Sequence, residues 1–229
     1  MTMQRYDFVC ALGDDCATAT YLRMHGLRRM SLPLDWVGWA RTGLDCYVDY
    51  VCSDFRDFMR LDHLEQIGMS PQFQDKAHDC YRDRTTGLTI AHDFPAGVPL
   101  AESYEEVKAK YDRRIARFYK TMRHVKRVLF VYQTKVRTID KDAIVSAVTR
   151  LRAKFSNDAI DVLAVSNDPS APHPVFMQVG SGAYHAKGWI YDPDGDRYLG
   201  RQQVYDEIFS AIRLRSGIER LIFGTILRI

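Results

Sequence analysis

Cys16 carries the most chemical promise in this chain. It ends the run Phe8-Val9-Cys10-Ala11-Leu12-Gly13-Asp14-Asp15 and opens Ala17-Thr18-Ala19-Thr20-Tyr21-Leu22-Arg23. Apolar residues leading to a glycine, two acids and a helical pattern read as strand, tight turn and helix, with Cys16 in the first helical turn. A helix N-terminus presents unpaired N–H groups and partial positive charge, which favour thiolate over thiol. A thiolate attacks carbonyl carbon, so the chemistry in view is acyl transfer through a thioester. The plainer reading is a small, inert residue beneath a turn. A nucleophilic thiol also needs a base. His92 is the best placed of the seven histidines, because it follows the short apolar run Leu88-Thr89-Ile90-Ala91 instead of lying in a helix. Its plainer reading is a polar residue closing a loop.

The elements that must hold these groups follow from apolar spacing. Tyr6 to Leu12 reads as a strand and Cys16 to His25 as a helix stopped by Gly26. Gly43 to Met59 has helical spacing, whereas Asp62 to Gly87 is polar, unpatterned and expected to run over the surface. Ser103 to Val125 is a long amphipathic helix, with Ser103 and Glu106 as a capping box. Val128 to Tyr132 and Ile160 to Val165 are continuous apolar runs suited to strands buried on both faces. A helix over Asp140 to Phe155 separates them. Strands at Val175 to Val179 and Gly188 to Tyr191, a helix at Gln203 to Arg213 and a strand-like tail at Leu221 to Ile229 complete the pattern. The alternation predicts a single three-layer α/β domain over residues 1–229, with a mainly parallel central sheet and helices on both faces. Ligands of such sheets bind outside the carboxyl ends of the strands, where Gly13 to Cys16, His92-Asp93 and Ser166-Asn167-Asp168 are expected.

Composition narrows the class. A net charge of +3 over 229 residues is too mild to argue nucleic-acid binding. Five cysteines without a C-x-x-C pair form neither a disulfide framework nor a structural zinc site. No membrane span and no signal peptide are read, so a cytoplasmic setting is expected. Between Lys108 and Arg127 nine Lys or Arg residues face one acid, Asp112. That is either a solvated helix face or an anion-binding one, where Arg113, Arg114 and Arg117 would grip phosphates or a carboxylate. Asp192 to Asp196 has acids at calcium-loop spacing but a misplaced glycine, and reads as a turn. His63, His78 and Cys80 are too irregularly spaced to predict a metal site.

Four blocks in order carry a resemblance: L-G-x-x-C-x-x-A-x-x-L-R (Leu12 to Arg23), S-x-P-x-D-W (Ser31 to Trp36), H-D-F (His92 to Phe94) and R-R-I-x-R-F (Arg113 to Phe118). Together they resemble a bacterial family described as "putative papain-like cysteine peptidases", over roughly Tyr6 to Tyr132. Leu34 and Asp14-Asp15 depart from its pattern without removing a catalytic group. The resemblance implies Cys16 as nucleophile, His92 as base and Asp35 or Asp93 as the acid that orients the imidazole. It also implies a histidine borne on antiparallel strands, which the helix–strand alternation does not suggest. The turn Gly13-Asp14-Asp15-Cys16 is similar in addition to the Gly-Asp-Ser turn of GDSL-type esterases and acyltransferases. That similarity implies Asn167, with backbone N–H groups near Gly13, as oxyanion donors. A partial similarity to capsule-biosynthesis proteins implies coenzyme A as a bound group.

The expected function is therefore cysteine-based acyl hydrolysis of a peptide, glycan or small-molecule substrate. Two alternatives stay open. One is a coenzyme A-dependent acyltransferase in polysaccharide or capsule biosynthesis; the other is a non-catalytic module that binds a glycan or nucleotide-sugar.

Overall fold

A computed structural model of the chain describes residues 5–73, 76–136, 138–192, 194 and 199–215. The expected strand at 221–229 and most of the turn at 192–196 lie outside these residues. In chain order the strands are β1 (Arg5–Tyr6), β2 (Phe8–Ala11), β3 (Val37–Gly38), β4 (Leu64–Phe73), β5 (Lys76–Asp83), β6 (Thr89–Pro95), β7 (Val128–Thr134), β8 (Ile160–Asn167), β9 (Val175–Gly180), β10 (Ala183–Gly188) and β11 (Arg213–Leu214). The α-helices are α1 (Cys16–Met24), α2 (Leu44–Cys52), α3 (Leu100–Met122), α4 (Lys141–Phe155) and α5 (Gln202–Ser210).

The apolar runs of β2, β7 and β8 are buried nearly end to end and pair in parallel, because neither face meets water. With β10 parallel to β8 and β9 antiparallel at the edge, they form a five-stranded sheet in the order β2-β7-β8-β10-β9. Alternate residues feed two cores. Val9, Ala11, Leu129, Val131, Leu163 and Val165 pack with α1 and α5 on one face. Phe8, Cys10, Val128, Phe130, Tyr132 and Val162 pack with α2, α3 and α4 on the other.

A second, four-stranded sheet in the order β3-β6-β5-β4 is antiparallel throughout. It corrects the reading of residues 62–87, which hold a 3-10 turn and the long strands β4 and β5. These strands expose much of one face and are interrupted by bulges, so no clean two-residue period marks them. Parallel and antiparallel pairings are four each among the described residues. The fold is thus mixed α/β, and the mainly parallel arrangement expected from sequence does not describe it. Three boundaries also move. The second helix ends at Cys52, before left-handed residues Asp54, Phe55, Asp57 and Met59. The third starts at Leu100 behind Pro99 with no side-chain cap, which displaces the Ser103–Glu106 box. The strand expected at 188–191 lies earlier, at Ala183–Gly188. Among the described residues no helix is long and apolar enough to cross a membrane.

Candidate active site

The turn that presents Cys16 is built from left-handed backbone. Gly13 has φ +82° and Asp14 φ +72°, and a Cβ on Gly13 would lie 2.5 Å from Cε1 of buried Tyr47. Tyr47 in turn donates its hydroxyl to Asp14 Oδ1 at 3.1 Å. Gly38 of β3 is equally constrained, since a Cβ there would stand 2.5 Å from the Asp14 carbonyl oxygen. Asp15 is the N-cap of α1, accepting from the Ala17 N–H at 2.7 Å. Its other oxygen meets Lys135 Nζ at 3.0 Å and Gln133 Nε2 at 3.3 Å. Thr18, one turn into α1, donates to Gln133 Oε1 at 3.0 Å and ties the helix to the end of β7. Cys16, first in α1, is half-buried.

His92 reaches the same place from the antiparallel sheet. Asp79 pairs with Phe94 and Tyr81 with Ile90, so Cys80 alone opposes the three residues Ala91, His92 and Asp93. This bulge breaks strict alternation. Ala91 and His92 consequently both face one cavity, while Ile90 and Phe94 sit in the core. Burial pulls the His92 imidazole below its ordinary value, the neighbouring Asp93 pulls it up, and His78 pulls it down, its ring centroid 6.4 Å from that of His92. The net effect is downward, so the ring is neutral and able to accept a proton at pH 7.

The cavity has a volume of about 480 Å³. Asp14, Asp15 and Cys16 line it from the end of β2, Lys135 and Val136 from beyond β7, and Tyr191 from beyond β10. Trp36, Val37, Gly38 and Trp39 close one side, and Ile67 to Ser70, Cys80, Thr89, Ala91 and His92 close the other. Thus the carboxyl edge of the five-stranded sheet supplies the thiol, and the antiparallel sheet supplies the imidazole. The latter matches the antiparallel setting implied for the histidine by the resemblance.

The remaining expected site residues stand elsewhere. Asp35 is buried and accepts from Arg28 Nε and the Leu32 N–H, both at 2.7 Å, and it does not line the cavity. Burial raises its carboxyl above the usual range despite Arg28. Its partner Arg28 also lies 5.3 Å from the Trp36 ring, so Asp35 braces a cavity wall. Asp93 accepts from Lys110 Nζ and Tyr111 Oη, each at 2.5 Å, and acts on His92 through its charge. Asn167 spends its side-chain oxygen on the Tyr191 N–H at 3.0 Å. Neither Asn167 nor Gly13 is among the lining residues; both position ones that are. Arg114 covers the Tyr111 ring at 4.8 Å and Arg117 donates to the Ser31 carbonyl at 2.8 Å. Arg114 thus covers a ring of its own helix, Arg117 ties α3 to the segment at Ser31, and Arg113 is exposed; none of the three lines the cavity. Sequence reasoning missed Lys135, Cys80 and Tyr191 as cavity residues. Helical or strand period says nothing about which loop ends meet.

Comparison with known proteins finds the same family as the resemblance, over a span that begins at the same place and extends past Tyr132. The profile of a family described as "Putative papain-like cysteine peptidase" matches residues 7–164. An uncharacterized protein of Acanthamoeba polyphaga mimivirus is 27% identical over 173 residues, which cover 70% of this chain and 77% of that protein. No solved structure matches.

Proposed function

The chain belongs to the family described as "Putative papain-like cysteine peptidase", and we propose that it hydrolyses an acyl bond with Cys16 as nucleophile and His92 as base. The observation that carries this reading is that Cys16 and His92, delivered by different sheets, line one cavity. His92 takes the thiol proton as the Cys16 sulfur bonds to the carbonyl carbon. The tetrahedral oxyanion collapses, the bond to the leaving group breaks, and His92 returns its proton to that group. Water then attacks the thioester with His92 again as base, the carbon–sulfur bond breaks, and acid product leaves with the thiol restored. Positive potential for the oxyanion comes from the first turn of α1, and Asp93 stabilises the imidazolium through its charge. None of Arg113, Arg114 and Arg117 lines the cavity, which favours hydrolysis over coenzyme A-dependent acyl transfer.

Reactivity can be tested without knowing the substrate. In the native protein at pH 7, iodoacetamide labels Cys16 at least tenfold faster than Cys10, whose thiol burial pushes well up. His92→Asn slows that labelling, and it lowers hydrolysis of p-nitrophenyl acetate and labelled casein by about 10²–10⁴-fold. Equal labelling of Cys16 and Cys10, or full hydrolysis by Cys16→Ala, would overturn the assignment.

A further inference from the structure

The cavity wall is unusually apolar where it meets solvent. Among the described residues eight large apolar side chains are more than about a third exposed, and four of them line this one cavity. They are Trp39 at 57%, Ile67 at 39%, Met69 at 70% and Val136 at 74%. Three separate segments contribute them: the turn after β3, the strand β4 and the loop after β7. Exposed apolar groups gathered at a concave mouth mark a binding surface, since scattered ones need no explanation. The backbone supports the exposure: Trp39 is left-handed at φ +56°, and its N–H donates to the Asp14 carbonyl at 3.2 Å. The Trp39 backbone is thereby tied to the turn that presents Cys16. Gly68, at φ +142° opposite Cys80, separates Ile67 and Met69 and distorts β4 beside the mouth, and both side chains line the cavity.

We propose that Trp39, Ile67, Met69 and Val136 form a specificity subsite for an extended apolar group of the substrate whose scissile bond reaches Cys16. The proposal rests on the hydrolytic reading for the position of that bond, but not for the existence of the subsite. The group recognised is an aliphatic chain or an aromatic side chain; the shared chemistry is apolar surface withdrawn from water. Each methylene laid against such a wall raises kcat/KM by about two- to fourfold.

Two measurements separate this proposal from the catalytic one. Hydrolysis of p-nitrophenyl esters from acetyl to decanoyl, and of an N-acetylphenylalanine ester, reads specificity. Calorimetric titration of Cys16→Ala with decanoate and with N-acetylphenylalanine reads binding without chemistry. The expected result is a rate and an affinity that climb with apolar size, both flattened about tenfold or more by Trp39→Ser with Met69→Ser. The exposed positions of both residues keep the fold intact, checked by an unchanged unfolding midpoint. Steeper dependence on chain length identifies an aliphatic occupant, and preference for the phenylalanine compounds identifies an aromatic one. Size-dependent binding without hydrolysis upholds the subsite and removes the catalytic reading. Hydrolysis that depends on Cys16, is indifferent to apolar size and is unchanged in the double variant overturns the subsite alone.

Discussion

At the scale of single residues, the reactivity of Cys16 depends on how the charge of Asp15 is held. A carboxylate capping the helix one residue before the sulfur opposes a thiolate, yet the cap is needed to start α1. Lys135, 10% exposed and 3.0 Å from Asp15, offsets that charge from the cavity wall. Lys135→Met therefore leaves Asp15 uncompensated and slows iodoacetamide labelling of Cys16 at pH 7 about five- to tenfold, since one unit of pKa is about 1.4 kcal/mol. An unchanged rate would show that Lys135 only props the wall. The pH profile tests His92 in the same way. A base must be unprotonated, and burial lowers this imidazole, so the acid limb of kcat/KM falls below about pH 6.5. His78→Gln removes a neighbour that opposes protonation and shifts the limb upward. A limb that stays put with His78→Gln would mean that another group controls it.

At the scale of elements, the site depends on two backbone irregularities. Gly13→Ala forces a left-handed alanine against Tyr47 and costs about 2–4 kcal/mol. It also displaces the Asp14–Tyr47 contact, so the denaturation midpoint and the labelling of Cys16 fall together. Gly26→Ala, left-handed too but with open space around it, costs about 1 kcal/mol and spares Cys16. Equal effects from the two substitutions would dissociate the Gly13 turn from the site. The first turn was legible in the sequence, because the glycine, the acids and the helical period all sit within one short run. The second irregularity was not. Nothing local reveals that Cys80 faces three residues of β6, since a bulge is a property of two strands and their register. The same blindness cost the reading of β4 and β5, whose partners rather than their composition make them strands. Asp35 shows the converse. The resemblance singles it out, but Arg28 and the Leu32 N–H hold its Oδ2, and the residue does not line the cavity.

At the scale of the whole molecule, the thiol and the imidazole belong to sheets of different kind, joined by a common apolar cluster that reaches from Phe8 and Val128 to Ile90 and Phe94. Keeping the site assembled thus requires the five-stranded sheet to stay folded, and that sheet contains an acid-sensitive group. His185 of β10 is 3% exposed, shares a 2.8 Å hydrogen bond with Ser166 of β8, and is pulled down to about 4 by burial and Lys187. The unfolded chain takes up this proton near pH 6.5, whereas the folded chain resists until about pH 4. Between those values the unfolded state binds more protons, so stability is complete above pH 6.5 and declines as pH falls. The decline amounts to about 2–3 kcal/mol by pH 4.5. Urea unfolding at pH 7.5 and 4.5 measures it, and His185→Gln, which keeps a hydrogen-bonding group beside Ser166, removes most of that difference. If the variant and the parent lose equal stability on acidification, the proton enters elsewhere. If the variant is the more acid-resistant, protonation of His185 is what weakens the pairing of β8 and β10 in acid, and with it the sheet that holds Cys16 in place.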